Sequence, residues 1–244
     1  VIQYVVVSRL SRRIDIHDYD QKLVQALKRL ERYKISEENR KNILLFKDYI
    51  AANGIGTSRI VRYLQMLPKI SMWLGKDFRK AGKEDILRVV GSIEQGNYTD
   101  WTKGVYKSVL KRFYKWLLGN DEEYPSIVKW VKPRRINGNH TLPEELLTEE
   151  DVASMVNACS SLRDKALISV LFESGCRIGE VGSLRVKHVA FDEYGAVLTV
   201  NGKTGSRRVR IIKSVPYLSM HLRNLSDVSS DSPLWLSNKG NALN

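Results

Sequence analysis

The chain has 244 residues and a mass of 28.0 kDa, with 40 Lys and Arg against 27 Asp and Glu, a formal charge of +13 and a pI near 9.7. That length supports one large core or two modest ones, and the charge points to a polyanionic partner, nucleic acid before any other. The longest internal apolar runs, such as residues 166–172, fall far short of the roughly 20 residues a bilayer span needs, which excludes a membrane partner of that kind. The apolar opening 1–7 is followed by Arg9, Arg12 and Arg13, the reverse of the charge order of a secretory leader. Cys159 and Cys176 have neither metal-cage nor disulfide-framework spacing, so a reducing cytoplasm is the expected setting. The sequence starts without methionine, which reads as a start inside a longer reading frame.

Residues 1–35 read as an N-terminal extension, within which 22–33 is an amphipathic helical pattern with no assigned role. Residues 36–120 read as a helical domain of four helices. The first, 37–53, has Ser36 as N-cap, Ile43, Phe46 and Ile50 at helical spacing, and Gly54 as its stop. The second, 58–74, contains Pro68, which is expected to kink it. The third, 84–94, places Ile86, Val89, Val90 and Ile93 on one side. In the fourth, 100–118, Val105, Val109, Phe113 and Leu117 recur every four residues, and Lys103, Lys107, Lys111 and Lys115 do the same two positions out of phase. Two residues correspond to roughly 200° around a helix, so the lysines are expected opposite the apolar stripe. A solvated lysine face is the ordinary reading of such a row. Like charges at i, i+4 repel, however, so folding alone gives no reason to align them, whereas a phosphate backbone does.

Residues 121–142 read as a basic linker, with Pro125, Pro133 and Gly138 among Lys129, Lys132, Arg134 and Arg135, the last three expected to track DNA. Residues 143–244 read as a second domain. Thr148 to Asp151 is a capping-box-like start to a helix ending near Cys159, and a further helix covers 162–173 before Ser174 and Gly175. A short helix begins at Arg177. From Ala196 the pattern changes to strands, 196–200 and 207–212, joined by a turn through Asn201, Gly202, Lys203, Thr204 and Gly205. Lys203 stands at the tip of this hairpin, and Arg207 just beyond it is a further candidate for DNA contact. The fold class is therefore α+β, mainly helical with a small hairpin or antiparallel sheet.

The segment Glu173 to Glu180 reads E-S-G-C-R-I-G-E, and here the chain resembles the tyrosine recombinase (phage integrase) family. Ser174, Gly175, Arg177 and Glu180 stand where that family has its T/S-G-x-R-x-x-E pattern, and Lys203 in V-N-G-K-T-G-S-R-R-V-R-I matches its catalytic hairpin lysine. The resemblance extends over roughly residues 36 to 240, the helical region matching the family's core-binding domain. Taken alone, an arginine after a helix-ending glycine is ordinarily a surface charge, and a hairpin lysine is ordinarily turn chemistry. Their order behind a basic helical domain is what carries the likeness. The resemblance implies a two-domain DNA recombinase that works through a 3′-phosphotyrosyl intermediate without metal or nucleotide cofactor. Its partner would be double-stranded DNA, on which several protomers, a tetramer in the synapse, act together in a nucleoid-associated cytoplasmic setting. Arg177 would meet the non-bridging phosphate oxygens with a planar fork, Lys203 would protonate the leaving 5′ oxygen, and Glu180 would orient the arginine.

The family's H-x-x-R motif and C-terminal nucleophilic tyrosine have no counterpart here. None of His17, His140, His188 and His221 has an arginine three residues on, and Tyr194 and Tyr217 fall too early. Residues 233–244 resemble the stretch just before the family's H-x-x-R helix, so the expectation is a fragment that binds DNA without cleaving it. Two other readings remain: a non-catalytic DNA-binding regulator or architectural protein, and a type IB topoisomerase-like enzyme. An RNA-binding module would leave Arg177 and Lys203 unexplained.

Overall fold

Capped amphipathic segments fold into two compact units, one of Tyr19–His140 and one containing Thr141–Asn244. The computed structural model describes residues 17–119, 122–133, 142–202, 205–225, 228–237 and 240–243. The first unit consists of α1 (Tyr19–Arg32), α2 (Glu37–Ala52), α3 (Thr57–Leu74), α4 (Lys83–Gln95), α5 (Asp100–Leu118) and the single turn α6 (Ser126–Lys129). Ser36 Oγ accepts the Asn39 N–H at 3.2 Å and Thr99 Oγ1 accepts the Thr102 N–H at 3.3 Å, which starts α2 and α5 at those residues. Gly75, at a φ of 68°, ends α3 in the left-handed conformation that a residue with a Cβ adopts only at a cost. α3 continues as helix through Pro68, which is buried.

Aromatic rings fill the centre of this unit. Phe113 packs edge-on against Phe46 at 5.3 Å and against Phe78 at 4.7 Å, all three fully buried. α1 lies in the stretch expected to be an extension, yet its Ala26 and Leu30 are buried in this same core, and the Arg40 guanidinium caps its end by bonding the carbonyls of Leu30 and Tyr33. Part of the expected linker behaves likewise, with Val128 and Val131 of the α6 region buried against the helices. Asn39 supplies the unit's polar tie. Its amide donates to Ser71 Oγ at 2.8 Å and to the Lys76 carbonyl at 2.9 Å, and its Oδ1 accepts the Phe78 N–H at 2.7 Å.

The second unit begins with α7 (Glu149–Ala158) and α8 (Leu162–Ser174), followed by the short α9 (Ile178–Gly182). A three-stranded antiparallel sheet follows in the order β1 (Val189–Asp192), β2 (Gly195–Gly202) and β3 (Gly205–Ile211), and α10 (Val215–Arg223) comes after it. The inner face of the sheet is Ala196, Leu198, Val200 and Ile211, all fully buried against Ala166, Val170 and Val181. Trp235 closes this core. Its indole N–H donates to the Val181 carbonyl at 2.8 Å, and its ring stacks on His221 at 5.3 Å. Among the described residues no helix is long and apolar enough to cross a membrane.

Asn39→Ala leaves the Phe78 N–H and the Lys76 carbonyl without their buried partner. We expect a loss of about 3 kcal/mol in the stability of the helical unit, measured by urea denaturation followed by circular dichroism.

Candidate active site

α8 stops because Gly175 takes a φ of 59° and its N–H closes the last turn on the Leu171 carbonyl at 3.2 Å. The chain then turns Cys176 inward and Arg177 outward. Arg177 sits in extended conformation as the N-cap of α9, and its carbonyl accepts the Glu180 and Val181 N–H groups at 2.8 and 3.1 Å. The side chain of Arg177 is 73% exposed, whereas that of Glu180, one turn on, is 3% exposed.

Among the described residues, the polar contacts of the Glu180 carboxylate go to arginines. Oε2 accepts the Arg177 backbone N–H at 3.1 Å, and Oε1 accepts one Arg177 guanidinium nitrogen at 3.2 Å. Arg207 of β3 donates both terminal nitrogens, Nη1 to Oε1 at 3.1 Å and Nη2 to Oε2 at 2.8 Å. The Arg207 fork holds the Glu180 carboxyl far below the usual carboxylate range, at about 2, with the Arg177 bonds adding to it and burial opposing. Gly202 makes room for this arrangement, since a Cβ there would collide with Glu180 Oε1. Gly202 pairs with Gly205 across the hairpin, so the end of the hairpin lies against Glu180. Lys203, in the two-residue connection, lies outside the described residues, as do Arg134 and Arg135.

Arg177 and Glu180 are therefore brought together as expected from their spacing. Arg207, expected on DNA, instead commits both terminal nitrogens to Glu180, and its position on the inner face of β3, opposite Val200, explains why. The lysine row of α5 is corrected more strongly. Lys107 is buried and pairs with the Glu94 carboxylate, and Lys103 donates to the Glu94 carbonyl at 2.7 Å. Lys111 and Lys115 lie over the Tyr124 ring at 4.6 and 5.4 Å. α5 has neighbours on both sides, α4 and the 122–131 segment covering the face that periodicity assigned to solvent. Lys132 is exposed.

The residues that α5 does present outward were not read from the sequence. Trp101, in its first turn, is 59% exposed, and Arg62 of α3 lies over its ring at 5.7 Å. Trp101 stands in phase with Val105, Val109, Phe113 and Leu117, so periodicity assigns it to the core and no local signal marks it as exposed. Tyr194 stands in the β1–β2 turn below the Arg210 guanidinium at 5.8 Å, and Tyr217 is half-buried in α10.

The folded-state carboxyl of Glu180 titrates lower than its ordinary value of 4.5, so its stabilisation is complete above that value and disappears as pH falls toward about 2. Glu180→Gln should lower stability at neutral pH by about 2 kcal/mol, a modest figure because both arginines are partly solvated, and should flatten the acid limb of a pH–stability curve. Gly202→Ala should destabilise by about 2 kcal/mol when Glu180 is present and by clearly less in a Glu180→Ala background, both read from thermal denaturation.

The chain has relatives among known proteins. Residues 145–241 match the phage integrase family. A tyrosine recombinase of Thermosipho africanus is 27% identical over 160 residues, covering 62% of this chain and 56% of the relative. The tyrosine recombinase XerA of Pyrococcus horikoshii is 24% identical over 208 residues, covering 78% of this chain and 68% of the relative. The chain thus spans between about half and two thirds of the curated relatives it matches. Among solved structures, the XerH site-specific recombinase bound to palindromic difH substrate has a TM-score of 0.58 at 20% identity, over 95% of this chain and 77% of that one. A lambda integrase dimer bound to a COC′ core site has a TM-score of 0.64 at 15% identity, over 84% of this chain and 58% of that one. These structural likenesses concern the fold. Residues 145–241 thus match the phage integrase family, and the chain is similar to tyrosine recombinases over 62% to 78% of its length.

Proposed function

We propose that the protein is a site-specific DNA recombinase that cleaves and rejoins double-stranded DNA by transesterification, with Arg177 on the scissile phosphate. The observation that carries this reading is the asymmetry at Glu180: Arg207 is held by two side-chain bonds, while Arg177 is held by one and leaves most of its fork in solvent. A guanidinium so placed can meet two non-bridging oxygens as negative charge builds on them. In the reaction, a tyrosine oxygen bonds to phosphorus as its hydroxyl proton passes to water, the bond from phosphorus to the 5′ oxygen breaks, and the leaving oxygen takes a proton from the Lys203 ammonium. Attack of a 5′ hydroxyl reverses these steps. The nucleophilic tyrosine is assigned to no residue of this sequence. Glu180 and Arg207 keep Arg177 in place and touch no reacting atom.

The XerH and lambda integrase structures are complexes with DNA, and lambda integrase is also known as a tetramer on a Holliday junction. By that likeness this protein binds duplex DNA and self-associates on it, in the cytoplasm at the nucleoid. In the helical unit, Arg62 and Trp101 offer an exposed cation and ring to the backbone, and Lys132, Arg134 and Arg135 add charge along the chain. Lys103, Lys107, Lys111 and Lys115 contribute to the field around the duplex more than to direct contacts.

Incubating the whole protein with nicked duplexes from its genomic flanks should give a covalent protein–DNA adduct on a denaturing gel, and Arg177→Ala should abolish it. Salt-sensitive binding with no adduct on any substrate would favour a DNA-binding protein without catalysis. Arg62→Gln should weaken binding to all sequences and reduce the slope of log K against log salt by about 1, whereas Lys107→Gln should leave the slope unchanged and lower the melting temperature.

A further inference from the structure

Glu173 is the last carboxylate of α8, four residues before Arg177, and the recombinase reading gives it no part. Its side chain reaches across to the link between β3 and α10. Oε1 accepts the Ile212 N–H at 2.6 Å and the Lys213 N–H at 2.9 Å. Oε2 accepts the Ser214 N–H at 2.7 Å and the Ser214 hydroxyl at 2.5 Å. Three successive amides and a hydroxyl thus converge on one carboxylate, the kind of concavity that backbone N–H groups form around an anion. Burial pushes this carboxyl up, but the Ser214 hydroxyl and the amides outweigh it, so the group stays ionised below its ordinary range.

Local need explains only the Oε2 half of the arrangement, because Ser214 is buried and its amide and hydroxyl require an acceptor. Ile212 is 60% exposed, and water could satisfy its amide and that of Lys213. What the carboxylate adds is a long-range tie between the end of α8 and the end of β3. Seven residues later Glu180 makes a second tie, to Arg207 within β3 near the hairpin end. The segment 173–180, with Arg177 inside it, is therefore bonded to β3 near the hairpin end and to the link that follows the strand at its other end. The inner face of the sheet already packs on the core, and the two separated ties fix the 173–180 segment to it by directional bonds on either side of Arg177.

We propose that Glu173 is a positioning residue, whose bonds to Ile212, Lys213 and Ser214 make the β2–β3 hairpin and the Arg177 segment move as one body. The catalytic consequence rests on the recombinase reading, in which Lys203 on that hairpin and Arg177 act on the same phosphate.

The test is Glu173→Gln, which keeps the side-chain shape but turns an acceptor into a donor facing other donors. Hydrogen exchange in the whole protein should rise about tenfold at amides of both 205–211 and 174–178, with the helical unit unchanged. Faster exchange confined to residues 212–214 would show a local cap and overturn the proposal. In single-turnover cleavage of nicked DNA, Glu173→Gln should slow adduct formation about tenfold with DNA affinity unchanged, and should cost less than about twofold in a Lys203→Ala background. Equal losses with and without Lys203 would also overturn it. If Glu173→Gln does not fold, Ser214→Ala removes one donor and carries the same comparisons at about threefold. If the unaltered protein forms no adduct, the recombinase reading fails, and the exchange measurement alone decides the coupling.

Discussion

The carboxylate of Glu180 holds two guanidinium groups in one small buried site, and the positions of α9, of β3 and of the exposed arginine all follow from it. Burying a carboxylate is costly unless its charge is met and its lone pairs are used. Here the Arg177 backbone N–H and three guanidinium contacts use them, which makes the ionised form the stable one. The glycine at 202 belongs to the same constraint, since only a residue without a Cβ lets the strand approach so closely. A helix, a strand and a turn that are distant in sequence thereby converge on one group.

The unequal sharing of that carboxylate gives the two arginines different work. Arg207, on the inner face of the sheet, spends its planar fork within the protein, as does its contact with the Cys176 sulfur at 3.4 Å. Arg177 is fixed at its backbone and at one nitrogen, so its outward orientation is set before any ligand arrives. Electrostatic help to a phosphoryl transition state depends on such preorganised charge, because no reorganisation is then needed during the reaction. Around this centre, Trp235 bonds the Val181 carbonyl within α9 and so supports the short helix from its buried side.

Much of this was legible in the residues themselves. The cap at Ser36, the Gly175 stop, the Arg177–Glu180 spacing and the two strands of the hairpin are local signals, written within a few residues and read from spacing alone. Strand β1 was missed because Val189–Asp192 is four residues long and carries too few alternations to register a period. The lysine row of α5 was misplaced for a different reason. Periodicity identifies two faces of a helix but not how many neighbours it has, and α5 packs on both, so Lys107 ends in an ion pair instead of solvent. Arg207 and Glu173 were beyond local reading altogether, since their partners stand 27 and 39–41 residues away. The amphipathic pattern of α1 says that it packs without saying against what.

The central claim is a division of labour: Glu180 retains Arg207 and releases Arg177 to the phosphate. A crystal structure of the whole protein on duplex DNA, with the contacts of the scissile phosphate resolved, tests it most directly. The account predicts Arg177 nitrogens within about 3 Å of the non-bridging oxygens and Arg207 still paired with Glu180. Arg207 found on the phosphate, with Arg177 turned to solvent or closed onto Glu180, would contradict it.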